Sequence, residues 1–136
     1  MRKAVFAVVL LVVLAAAALA AGQEQPQATT AVSWDNWRAA KAMAEKYDNE
    51  GKYVEALQSY LEYVRQAEGL GNQELVAWGK NNAAFMIIKR HKLDSSVDLA
   101  PAKKLLEEGL AIEAATEDCK RALASNMEYV NVFLKK

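Results

Sequence analysis

Residues 47–60 read YDNEGKYVEALQSY, and this stretch decides the fold. Gly51 interrupts the pattern, and from Tyr53 onward Tyr53, Ala56, Leu57, Tyr60, Leu61 and Val64 recur at alternating spacings of three and four. That is the apolar stripe of an amphipathic helix. On the N-terminal side of the glycine, Trp34, Trp37, Ala40, Ala44 and Tyr47 form a stripe of the same kind. Ser33 is placed to cap that helix, which should run to about Asn49, and Asp35 sits in its first turn, where the helix dipole favours an acid. Two helices separated by one glycine turn must pack side by side as a hairpin, because neither buries its stripe alone.

The same reading extends toward the C-terminus. Gly69 and Gly71 end the second helix. A third is expected from about Asn72 to Arg90, and its Ala83–Ile88 half is apolar on nearly every face, which places it in the middle of a bundle. Lys89, Arg90, His91 and Lys92 close it with cations at the carbonyl end of the dipole. Leu93–Ala100 is a polar connection. Pro101 fits the first turn of a fourth helix, where its missing N–H is not needed. Ala102, Leu105, Leu106, Gly109 and Leu110 form that helix's stripe, with Gly109 small enough to admit a neighbouring backbone. Thr116 can cap a fifth helix carrying Cys119, Ala122, Leu123, Met127, Val130, Phe133 and Leu134 on one face. No strand-like alternation occurs, so the fold class is all-α: about five antiparallel helices stacked as a short array of hairpins, the last one capping.

The N-terminus has a different character. Met1-Arg2-Lys3 is cationic and residues 4–21 contain no polar side chain, a layout matching a secretory signal peptide over 1–22 with small residues for cleavage around Ala18–Gly22. The alternative is an N-terminal anchor retained in the inner membrane, since the run is just long enough to span a bilayer. Residues 23–32 (QEQPQATTAV) lack periodicity and read as a flexible linker to a helical domain over 33–136. The expected location is periplasmic or secreted.

Composition narrows the function. The 136 residues carry 17 basic and 17 acidic side chains, and a neutral chain has no basic excess for phosphate-backbone contacts, so a nucleic-acid partner is not expected. One cysteine and one histidine rule out an intrachain disulfide and leave no recognisable zinc ligand set. His91 reads as a solvated cation at a helix end, and Cys119 as a buried thiol on an apolar face. Glu107-Glu108 and Glu117-Asp118 are adjacent on helices, point about 100° apart and read as solvated faces. No Gly-rich phosphate loop is present. No catalytic residue, cofactor or metal is therefore expected.

The spacing Tyr47-x3-Gly51-x-Tyr53-x2-Ala56-x3-Tyr60 resembles the tetratricopeptide repeat, with Met43 and Ala44 at the positions where that repeat has Leu and Gly or Ala. Asn82-Ala83-Ala84 with Ala102 and Leu106 looks like a second, longer unit with an insertion near Leu93–Asp98. Asn126-Met127 and Tyr129 are similar to the first helix of a third. The resemblance implies a concave surface built from the first helix of each unit. It would present Arg38, Lys41 and Glu45, then Trp78, Asn81, Asn82 and Phe85, then Ser125, Asn126 and Tyr129, to an extended protein or peptide partner. Trp78 and Phe85 have core packing as their other reading. Of the carboxylate-gripping set found in some members, only Lys41 and Asn82 match, while Glu45, Ala122 and Asn126 replace the rest. Asn82 and Asn126 fall on largely apolar faces and need a backbone or a ligand to bond. The expected function is an exported, non-enzymatic adaptor. The alternative is a self-associating assembly subunit of a cell-envelope complex, forming homo-oligomers through apolar surface on the last helix.

Overall fold

A computed structural model describes residues 30–135. Five helices follow one another: α1 (Trp34–Asn49), α2 (Tyr53–Gly69), α3 (Gln73–Leu93), α4 (Ala100–Leu110) and α5 (Glu117–Leu134). Among the described residues there is no strand, and the chain is all-α as its periodicity predicts. The signal-like segment 1–22 and linker residues 23–29 lie outside the described residues.

Local chemistry sets the boundaries. Ser33 Oγ accepts from Asn36 N at 3.0 Å, Asn72 Oδ1 from Leu75 N at 3.0 Å, and Thr116 Oγ1 from Cys119 N at 3.3 Å. Each bond satisfies an otherwise orphaned N–H in the first turn. Gly51 turns α1 into α2 with φ +73°, a conformation in which a side chain would be strained. Pro101 lies in the first turn of α4. The third helix continues past its expected end at Arg90 to Leu93, because His91 is packed against the fold.

Consecutive helices pack against one another, and α3 additionally touches α5. This makes α3 the central rod. Where helices cross, the contact residues are small: Ala44 of α1, Ala56 of α2 and Ala83 of α3 are all fully buried, with Tyr60 and Met86 filling the space beside them. The α2–α3 contact is closer still at Gly79, which lies under Tyr63 and Val64. Gly109 of α4 lies under the side chain of Leu123 of α5, so its small size makes room for a side chain and not for the neighbouring backbone expected there. Leu106, Leu123, Val130, Ile88 and Cys119 complete the core on the α4–α5 side.

Several stripe residues are exposed instead of buried. Trp34, Leu61, Leu110, Phe133 and Leu134 stand at the edges of their stripes. For Trp34 on α1, and for Phe133 and Leu134 on α5, the cause is position at the two ends of the array, whereas Leu61 of α2 and Leu110 of α4 are exposed on inner rods.

The last residues of the expected linker are fastened down. Thr30–Ser33 crosses α2 as a strap, clamped by Gln66, whose side chain is 0 % exposed. Gln66 Oε1 accepts from Ser33 N at 2.9 Å, and its Nε2 donates to Ala31 O at 2.9 Å and Thr30 Oγ1 at 3.1 Å. Arg65 donates to Thr30 O at 2.5 Å, and Val32 sits on Gly69. Glu62 accepts from Thr30, Arg65 and Gln66, and these bonds, Arg65 first, hold its carboxyl down at about 2.

Candidate functional site

The face shared by α3 and α5 collects most of the polar and aromatic groups expected to meet a partner. Asn81, Asn82 and Phe85 come from α3, Asn126 and Tyr129 come from α5, and Ser125 is exposed beside Asn126 without a described contact to α3. Asn126 Nδ2 donates to Asn81 Oδ1 at 2.9 Å, and Asn81 Nδ2 donates to Asn82 Oδ1 at 3.2 Å. The three amides form a ladder that bridges the two helices. Asn82 and Asn126, expected to need a backbone or a ligand, each find one amide partner in Asn81. Asn81, only 5 % exposed, is the buried middle rung and ties the helices together. The ends of the ladder differ: Asn82 keeps its NH2 donors, and Asn126 keeps its carbonyl acceptor, without a partner among the described residues. Both side chains are half-buried.

One turn further along, the face becomes aromatic and cationic. Lys89 Nζ stands 4.8 Å and Lys92 Nζ 5.9 Å from the Phe85 ring centroid, and Lys92 Nζ is also 5.1 Å from that of Tyr129. Phe85, Lys89 and Lys92 lie at i, i+4 and i+7, the spacing that puts side chains on one helix face. Lys89 also reaches α1, pairing with Asp48 at 2.5 Å, so its charge is matched. Lys92 has no ion-pair partner among the described residues.

His91 is not the solvated helix-end cation its neighbours suggest. It is 7 % exposed, its Nδ1 lies 2.9 Å from Tyr129 Oη, and its ring meets those of Tyr129 and Phe133 edge-on at 5.9 and 4.9 Å. The imidazole is a structural link between α3 and α5. It explains why Tyr129 is held with its ring beneath Lys92.

The remaining expected residues stand elsewhere. Arg38 pairs with Asp35 at 2.8 Å and Lys41 with Glu45 at 2.5 Å, all exposed on α1 and engaged within that helix. Trp78 is half-buried against the α3–α5 core. Cys119 is fully buried, which pushes its thiol up from the ordinary value and keeps the reactive thiolate scarce. The acidic pairs are engaged: Glu107 with Lys103, Glu108 with Lys80 of α3, Glu117 with Lys120, and Asp118 with Arg121. Among the described residues no group of three His, Cys, Asp or Glu side chains is placed to hold a metal ion, and no helix is long and apolar enough to cross a membrane.

The sequence reading missed Lys89, Lys92 and Asp48, although the i, i+4, i+7 spacing from Phe85 was there to find two of them. Comparison with protein-family models, with curated proteins and with solved structures finds no match.

Proposed function

We propose that the chain is an exported, non-enzymatic adaptor of tetratricopeptide-like build that holds an extended segment of a partner protein along α3 and α5. The observation that carries this reading is the amide ladder with an unpaired donor at Asn82 and an unpaired acceptor at Asn126. An extended backbone offers one acceptor and one donor per residue, the complement of those two ends. Phe85 and Tyr129 beside them supply apolar area at low side-chain entropy, and Lys92 supplies an unmatched cation. The repeat-like build is supported by the small residues at positions 44, 56 and 83 and by the direct contact of α3 with α5, the first helices of successive units. Export is supported by the cationic start and the apolar run over residues 4–21.

The test is site-specific photocrosslinking in intact cells, with the probe placed at position 82 or 125 and, as control, at exposed Lys104 on α4. A partner captured from 82 and 125 but not from 104, and released by Lys92→Glu, supports the reading. Capture from 104 alone, or capture indifferent to Lys92, overturns it. Asn81 is unsuitable for such a test, because its removal orphans the Asn126 amide inside the fold.

A further inference from the structure

The outer flank of α5, turned away from the amide ladder, carries a second surface. Between the end of α4 and the last three turns of α5 lies an open groove of about 430 Å3, lined chiefly by Leu110, Met127, Glu128, Asn131, Val132 and Lys135. Leu110 and Val132 are exposed, Val132 by 52 %. Glu128 and Lys135 stand in this same groove seven residues apart, two helical turns or about 10.5 Å along the axis. That separation is too great for them to pair with each other. Neither has an ion-pair partner among the described residues.

We infer that this groove is the interface of a twofold dimer, with α5 of a second copy of this chain laid antiparallel against it. A twofold axis passing between residues 131 and 132 sets Glu128 opposite Lys135 of the second copy, and Lys135 opposite Glu128 of the second copy. The pattern is self-complementary in the antiparallel sense only: a parallel arrangement in register sets like charge against like. The same axis lays Val132 of each copy against the other's groove, covering the apolar residues that the end rod leaves in water. Asn126, Tyr129 and the ladder lie on a different flank of α5, so dimerisation leaves the proposed peptide face open and presents it twice. The inference stands independently of the adaptor reading. The surface is small, so self-association is expected in the micromolar range.

The test is sedimentation equilibrium on the purified full chain, with circular dichroism confirming that each variant retains the helicity of the parent. The parent should show a concentration-dependent dimer. Glu128→Lys and Lys135→Glu should each weaken it by about tenfold to thirtyfold, since two attractive contacts become repulsive in each homodimer. Mixing the two variants should restore association to about the parental strength, because every cross-pair is then Lys against Glu. Val132→Asp should abolish association. A parent that stays monomeric to about 500 μM, or variants whose mixture associates no better than either alone, overturns the inference.

Discussion

Replacing Gly79 by alanine adds one methyl group where α3 lies directly against Tyr63 and Val64 of α2. A Cβ there would stand 2.6 Å from Tyr63 Cδ1, 2.6 Å from Val64 Cγ2 and 2.9 Å from Tyr63 Cε1. Carbon atoms do not approach so closely, and the ring has little freedom to yield. Tyr63 is buried, with Trp37 at 5.2 Å and Tyr60 at 6.3 Å between ring centroids. Overpacking of this kind costs about 1–3 kcal/mol, and a rigid aromatic neighbour places it at the upper end. Alanine returns about 1 kcal/mol through helix propensity. The net expectation is a loss of about 2 kcal/mol, or a fall in Tm of about 10 °C for a domain of this size. Gly109→Ala serves as the internal control. Its nearest neighbour is the methyl end of Leu123 at 2.7 Å, which can rotate, so strain and propensity nearly cancel and Tm moves by less than about 4 °C. The assay is thermal unfolding by circular dichroism on both variants. A Tm that rises for Gly79→Ala would refute the close packing of α2 on α3.

Ala56→Trp should prevent folding, because a fully buried crossing with Ala44, Ala83 and Met86 around it has no room for an indole; a cooperative unfolding transition at the parental temperature would count against that crossing. Gln66→Ala should cost about 2–4 kcal/mol in denaturant unfolding and remove hydrogen-exchange protection from the Ser33 amide, its direct donor. Glu62 titrates at about 2 in the folded chain against an ordinary 4.5, so its contribution is complete above pH 4.5 and is lost as pH falls toward 2. Glu62→Gln should flatten stability across that acidic window, and an unchanged pH profile would remove Glu62 from the strap's support.

The helices were legible because their signals are local. Ser33, Asn72 and Thr116 cap with their own next turn, Gly51 turns on its own backbone, and Pro101 starts α4 by what it lacks. None of these needs knowledge of a distant residue. Gly79, Gln66 and His91 show the opposite case. Each looks ordinary in sequence, and each acquires its role from a partner more than a dozen residues away: Tyr63, the strap, and Tyr129. The site divides the same way. Asn82 and Asn126 were identifiable as amides on apolar faces, but periodicity says nothing about two of them meeting through a third. The exposure of Trp34, Leu61, Leu110, Phe133 and Leu134 was hidden for a related reason. A stripe shows which face is apolar, not how much of it a neighbour covers.

The strap has a mechanical consequence. Any tension applied to the chain upstream of Thr30 is not borne first by the N-terminus of α1. It enters through the Thr30 and Ala31 carbonyls and the Ser33 amide, and passes directly to Arg65 and Gln66 in α2, a rod sandwiched between two others. Several bonds then share the load at once instead of opening one after another. Whatever pulls on the domain from its N-terminal side therefore grips it from within the stack and not by its outermost rod.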